Sequence, residues 1–456
     1  MPVADKLMSI FRVLPEVDIP KRHIPFKEKI AWAAIILVVY FILGEIPLYG
    51  MTQAAQDQFG FLKSVLASEA GTLITLGIGP VVMAGIFMQL FQGAEIFHFD
   101  LTTHEGKTLF QGLQKLLAIF LCVFEAFLYV WSGAFGRPGS SVMLFLVAQM
   151  AFGAFLVLLM DEVVTKWGFG SGISLFIAGG VAKDILWKSF SVLEVAEYPG
   201  QMVGALPAFI KSIIAGAPTW TRAGLPDMMQ VGFTILIFLI VVYSESMRVE
   251  IPLSYGRFKG VRGRYPIRFI YASVIPVILT SAMIASANLV SRLLSTRFGL
   301  SFLGTFEGSQ ATGGLMYYLS SPLGLSQVAD DPVRAIIYML ITVGGCILFA
   351  VLWIDLTNMG PKAVAERLQQ SGMQIPGFRR DPRVVEKVLN RYIPKVTIMG
   401  GATIGLLATF ANFTNALGTG TGILLTVGIV YRMYEDLMKE QMSEMFPALR
   451  SFIGEG

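Results

Sequence analysis

Apolar residues in this 456-residue chain gather into ten long runs separated by polar loops. Crossing the hydrocarbon core of a bilayer takes about 20 apolar residues in a helix. On that measure the runs predict spans at roughly 30–48, 73–92, 109–131, 142–160, 172–187, 231–247, 269–290, 333–354, 396–417 and 421–437. The second run, Gly71 to Gly93, carries Gly77, Gly79, Pro80 and Gly85 where a lipid-facing helix would carry Leu and Ile. Glycine and proline break a helix's continuity unless neighbouring protein satisfies the freed backbone groups. This segment is therefore expected inside a bundle, lining something mostly apolar, because its polar residues (Thr72, Thr75, Gln89) are few and uncharged.

The interruptions repeat. Ile78-Gly79-Pro80-Val81 in the second span pairs with Val274-Ile275-Pro276-Val277 in the seventh. WGFGSGISLFIAGGV (167–181) and LGTGTGILLTVGIV (417–430) share a G-x-G-[ST]-G-I opening and begin spans five and ten. Five spans is an odd number, so two such halves insert with opposite topology, and interrupted segments at matching positions point to a central pathway. Tight helix packing is the plainer reading of any one glycine pair. The predicted organisation is a segment 1–29, a half 30–187, a connection 188–229, a half 231–437 and a tail 438–456.

Composition agrees: 54% of residues are hydrophobic and 14% charged, against roughly 25% charged in soluble domains. No basic-then-apolar leader with a cleavage site precedes the first run, which is expected to stay as an anchor. With the N-terminus placed in the cytoplasm, the loops on that side hold 25 Lys and Arg and the opposite loops 8. That bias predicts both termini in the cytoplasm.

Candidate chemistry narrows the function. Cys122 and Cys346 sit in apolar runs and imply neither a disulfide nor a metal site. His23, His98 and His104 are scattered, and no phosphate loop, metal-ligand cluster or catalytic triad occurs. No cofactor, metal or enzymatic activity is expected. An intramembrane protease would need paired catalytic groups at bilayer depth, which are missing. An ion-coupled carrier would need ionisable groups near the midplane. Glu45, Glu125 and Asp184 are the candidates, yet the middles of spans two, five, seven and ten carry no charge. An inverted-repeat secondary transporter of a small solute stays open as the alternative.

Those middles carry branched aliphatic residues beside glycines: Ile78, Val82, Ile173, Ile177, Ile278 and Leu424. The first two pairs are four apart, on one helix face. Facing one another across an opening, such side chains offer an ion nothing to bind and favour dewetting. A path for unfolded chains of any sequence needs an apolar seal of that kind. Two basic loops, 248–268 and 355–395, lie on the expected cytoplasmic side. They suit topology setting, anionic lipid or docking to a polyanion such as ribosomal RNA, which would be salt-dependent.

The segment TLITLGIGPVVMAGIFMQL resembles the second transmembrane segment of the SecY family, and the similarity runs from IPFKEKIAW to IVYRMYEDLMKE, with MRVEIPL and LNRYIP closer to archaeal and eukaryotic members than to bacterial ones. The resemblance implies an all-α polytopic membrane protein of ten transmembrane helices. These would form two inverted five-helix halves around an hourglass pore that opens sideways to lipid. It implies a pore ring of Ile78, Val82, Ile173, Ile177, Ile278 and Leu424. The plug helix would be Gly60, Phe61, Leu62, Lys63, Ser64, Val65, Leu66, Ala67, Ser68, Glu69 and Ala70. Lateral-gate polar residues would be Gln89, Gln114, Ser286 and Asn288, with Ser286 standing where archaeal relatives can carry asparagine. Arg257, Lys259, Arg262, Arg264, Arg379, Arg380 and Arg383 would meet a translating ribosome, Arg379 matching a critical arginine of the family. The implied function is a non-enzymatic protein-conducting channel in the cell membrane. It would pass unfolded secretory polypeptides and release transmembrane segments into lipid. Implied partners are SecE-type and beta-type small subunits, the ribosome, signal sequences and nascent chains, membrane lipid and further copies of the chain.

Overall fold

The computed structural model describes the chain apart from residues 1–13, 23, 53–69, 94–95, 97–98, 100–102, 134, 136–138, 196–197, 223, 256–261, 308–309, 323, 358, 371–372, 375–381 and 446–456. Helices α1 (Phe26–Leu43), α2 (Gly79–Gly93), α3 (His104–Trp131), α4 (Ser140–Trp167) and α5 (Gly172–Phe190) fall on the first five expected spans. A hairpin of β1 (Glu194–Val195) and β2 (Tyr198–Met202) and a short helix α6 (Ala205–Ile214) follow. Next come α7 (Met228–Ser246), strands β3 (Arg248–Tyr255) and β4 (Arg262–Arg268), and α8 (Ile275–Phe298). Strands β5 (Thr305–Glu307) and β6 (Gln310–Gly313) pair, and α9 (Leu315–Leu319) and α10 (Gly324–Asp330) are short. The chain ends with α11 (Pro332–Leu356), α12 (Pro361–Gln370), β7 (Met373–Gln374), α13 (Pro382–Phe413) and α14 (Gly420–Met445). Among the described residues, 6 helices are by themselves long and apolar enough to cross a membrane. α1, α5 and α14 also overlap expected spans, but they carry charges such as Lys27, Lys188 and Arg432.

Two compact units result. One comprises Met1–Met88, Phe99–Met229 and Leu425–Gly456, the other Gln89–His98 and Gln230–Leu424. In the first, α3 and α4 close on a core of Cys122, Ala126, Leu146, Met150 and Ala154. Ala126 and Ala154 are fully buried; their small size lets two helix backbones approach, which is how helices associate where lipid is as apolar as they are.

The segment before α1 is strapped to the last turns of α4. The Val17 N–H donates to Glu162 Oε2 (3.1 Å), Lys166 Nζ to Glu16 Oε1 (2.6 Å), and the Trp167 indole N–H to the Asp18 carbonyl (2.8 Å). The Lys166 hydrogen bond holds the Glu16 carboxyl below its ordinary range, so the charged contact is present at neutral pH and is lost as pH falls through that lowered value.

In the second unit the two basic loops share one structure. β3 pairs antiparallel with β4 from Arg248↔Arg268 to Ser254↔Arg262, and β7 adds to β3 at Ser254↔Gln374 and Tyr255↔Met373. Beneath this three-stranded sheet lies a core containing Ile251, Ile267, Ile354, Leu368, Leu389 and Ile393. Sequence gives no hint of the union, because β7 is only 2 residues long. Across the same unit, Asp331 caps α11 by accepting from the Arg334 N–H (3.1 Å), and the Tyr317 hydroxyl donates to it (3.0 Å). Those two hydrogen bonds set its carboxyl below the usual range.

Candidate functional site

The interrupted spans are where the backbone departs from a plain helix. The second span is expected from residue 73, yet α2 begins at Gly79 and has 15 residues, a length of about 22 Å against the ~30 Å of the hydrocarbon core. Turns from Gly71 to Ile78 supply the rest. They satisfy themselves locally: Thr75 N–H donates to the Thr72 carbonyl, Gly77 to Ile74 and Gly79 to Leu76. They are also roofed by protein, with Thr72, Ile74 and Leu76 buried. A side chain at Gly153 of α4 would collide with the Leu73 carbonyl. Irregular backbone at membrane depth survives only under such cover.

The cause lies in Gly77 and Pro80. Gly77 takes a left-handed φ of +52°, which glycine adopts without steric penalty, and Pro80 follows three residues later near the start of α2. The second unit does the same with different chemistry. Ser273, three residues before Pro276, has φ +56°, and α8 starts at Ile275 with proline in its first turn. A non-glycine residue held left-handed costs energy that the surrounding fold must supply, and such residues cluster at functional sites. The aligned prolines place Val82 and Ile278 at equivalent positions, two residues after each.

Ile78, Val82, Ile173 and Ile177 belong to the first unit and Ile278 and Leu424 to the second. Ile78 packs on a cluster that includes Tyr40, Ile74 and Phe176, and Ile173 on one that includes Val81, Ala84 and Leu158. All but Leu424 are half-buried; Leu424 is 0% exposed. Next to Ile78, Glu125 of α3 comes close to the chain: its Oε2 would lie 3.5 Å from a Cβ on Gly79. A carboxylate at the start of a helix is favourably placed, since the first N–H groups and the helix dipole are positive there.

Two positioning residues carry no signal in the sequence. At the start of α5 the Ile173 N–H donates to Asp161 Oδ1 of α4 (2.8 Å), while the N-cap Ser171 makes no side-chain cap bond. At the start of α14 the Gly420 N–H donates to Asn412 Oδ1 of α13 (2.9 Å). Each glycine-rich opening is thus capped by an acceptor from the preceding span. Asp161→Ala removes the acceptor and should cost about 1 kcal/mol in chemical unfolding of the purified protein, whereas Asp161→Asn, which keeps Oδ1, should cost little. Equal losses in the two variants would deny the cap its role.

Of the lateral-gate candidates, Gln114 lies against α2: its Nε2 would be 3.3 Å from a Cβ on Gly85. Gln89 is half-buried near the end of α2, and on α8 Ser286 is exposed and Asn288 half-buried. The plug residues Gly60 to Glu69 lie outside the described residues, and Ala70 sits in a turn. Arg257, Lys259, Arg379 and Arg380 also lie outside them. Arg262 and Arg264 are at β4 positions opposite Ser254 and Pro252, and Arg383 is exposed in the first turn of α13. Both cysteines are free and buried. Among the described residues no group of His, Cys, Asp and Glu could hold a metal ion.

Comparison with known proteins gives one answer throughout. The SecY family profile matches residues 72–434, and that of the plug domain of Sec61p matches residues 38–71. The protein translocase subunit SecY of Pyrococcus furiosus is 47% identical, with 100% of each chain covered. That of Methanocaldococcus jannaschii is 46% identical, covering 98% of this chain and 99% of the relative. Among solved structures, that of a protein conducting channel superposes with a TM-score of 0.80 at 45% identity, covering 97% of this chain and 99% of the other. Sec61 in the canine ribosome-channel complex from the endoplasmic reticulum gives 0.78, with the same identity and coverage.

Proposed function

The chain belongs to the SecY family of protein-conducting channels, and we propose that Ile78, Val82, Ile173, Ile177, Ile278 and Leu424 form the ring that seals it. The observation that carries this reading is the twin break at Gly77 and Ser273. In each unit it delays the start of a span's helix and presents an aliphatic residue beside that start. A ring of such side chains binds no solute, dewets when empty and deforms around a chain of any sequence. Residues 60–70 plug it at rest, and Gln89, Gln114, Ser286 and Asn288 line the sideways exit into lipid.

The protein is a multi-pass membrane protein and not an enzyme. Its place is the cell membrane with both termini in the cytoplasm, supported by the 25-to-8 distribution of Lys and Arg. The domain pattern of two inverted halves joined by residues 188–229 follows the paired prolines and G-x-G openings. On the cytoplasmic face the sheet of β4, β3 and β7 joins the basic loops into one platform. Arg257, Lys259, Arg262, Arg264, Arg379, Arg380 and Arg383 would dock it to ribosomal RNA, as the resemblance to the canine ribosome-channel complex supports. SecE-type and beta-type subunits complete the assembly, and the driving force comes from the partner that delivers the chain.

Reconstitution separates this from the transporter alternative. Vesicles holding the chain with its small subunits should import an unfolded secretory chain delivered by ribosomes. Uptake of a small solute driven by an ion gradient, with no import of the chain, would overturn the reading.

A further inference from the structure

The connection between the two halves contains a small folded piece to which the channel reading gives no task. Its core is Val195, Val203 and Leu225, with Trp187 of α5 packed on it. The Arg222 guanidinium stitches it together, donating to the carbonyls of Met202 (2.7 Å), Val203 (3.2 Å) and Pro226. Helix α6 is therefore a fixed platform.

That platform is pinned to the far end of α5. The Gly204 N–H donates to the Ser191 carbonyl (2.9 Å), and a Cβ at Gly204 would lie 2.6 Å from the Ser191 nitrogen. Because α5 has 19 residues, it is about 28 Å long, close to the full hydrocarbon thickness. Ser191 stands directly past the last residue of α5, and α6 starts at that level.

The exposed side of α6 is apolar. Ile210, Ile213 and Ile214 are 56%, 52% and 81% exposed, and their spacing puts them on one helix face. The chain then folds back, the Thr219 N–H donating to Ser212 Oγ (3.2 Å), and sets Trp220 against Phe209 with ring centroids 4.8 Å apart. From Val203 to Thr221 the single charged residue is Lys211, and its Nζ is turned to the hairpin, donating to the Gly200 carbonyl (2.7 Å). Exposed apolar residues also stand at the far end of α5, at Leu186 and Phe190, and directly after it, at Val192 and Leu193.

We propose that α6 is an interfacial helix whose Ile210, Ile213 and Ile214 face, with Trp220 beside it, inserts into the lipid surface at which the fifth span ends. An apolar helix face carries such a segment some 5–10 Å into the boundary between headgroups and acyl chains, and an aromatic ring at the same depth anchors it. The helix would fix the height and tilt of α5, the span that carries Ile173 and Ile177. The proposal rests on α5 crossing the bilayer, which is part of the channel reading.

The test uses the full chain with its small subunits in vesicles of phosphatidylcholine and phosphatidylglycerol. Ile213→Cys and, separately, Ile210→Cys carry an environment-sensitive fluorophore, and Gln201→Cys on β2 is the water-exposed control. Both native cysteines are buried, so the unsubstituted protein sets the labelling background. The expected result is emission at 210 and 213 quenched several-fold more by a shallow nitroxide lipid than at 201, with aqueous iodide showing the reverse order. Quenching by iodide at all three positions would overturn the proposal. Protection at 210 and 213 from both quenchers would also overturn it, assigning the face to a protein partner. Chain import by the same labelled vesicles separates the two levels, because intact import with iodide-accessible labels defeats the helix placement alone.

Discussion

Vesicles carrying the double variant Ile78→Gly, Ile278→Gly leak ions at rest, several-fold faster than vesicles with the unsubstituted channel. A narrow passage walled by branched aliphatic side chains holds no stable water column, and without water no ion crosses. Replacing isoleucine with glycine widens the passage and exposes backbone that water can bond. Ile78 stands at the break before α2 and Ile278 in the first turn of α8, so the pair removes one side chain from each unit. Single-channel recording or dye-reported ion flux reads the effect without any secretory substrate. Unchanged resting conductance in the double variant would remove both residues from the seal.

Reversing Arg379 and Arg380 to glutamate should weaken ribosome binding by roughly tenfold or more at moderate salt, because two phosphate contacts become repulsive. The salt dependence is the sharper reading. Each basic side chain that neutralises a phosphate contributes close to one unit to the slope of log affinity against log salt, so the double reversal should flatten that slope by roughly two units. Variants on the lipid-facing spans should leave it unaltered. Wild-type affinity together with a wild-type slope would show that these two arginines do not touch the ribosome, and would leave the platform of β4, β3 and β7 without its assigned task.

Hydropathy located the long helices because burial in lipid writes itself directly into composition: ten described helices overlap the ten expected spans, 6 of them long and apolar enough by themselves to cross a membrane. It misplaced their ends wherever a helix continues past the lipid. α4 runs on to Trp167 through Asp161, Glu162 and Lys166, and α13 begins at Pro382, well before the apolar run at 396. Conversely, the second span starts late, because Gly77 adopts a left-handed turn that an apolar count does not register. The paired prolines were visible, but the matching left-handed residue is glycine in one unit and serine in the other, so no residue-type pattern reveals it. Asp161 and Asn412 look like ordinary polar residues near helix ends. Their role depends on a donor 12 residues away in one case and 8 in the other, a distance fixed by how a glycine-rich turn folds back. The merging of the basic loops rests on two residues of β7, too few for any periodicity.

The most direct test of the central claim is to stall a secretory chain in the reconstituted channel and ask what its middle touches. A photoreactive amino acid placed in turn at positions 78, 82, 173, 177, 278 and 424 should capture the stalled chain from both units, and capture should end when the chain is released. Capture from neither unit, with crosslinks confined to lipid or to neighbouring helices, would contradict an aliphatic ring around the translocating polypeptide.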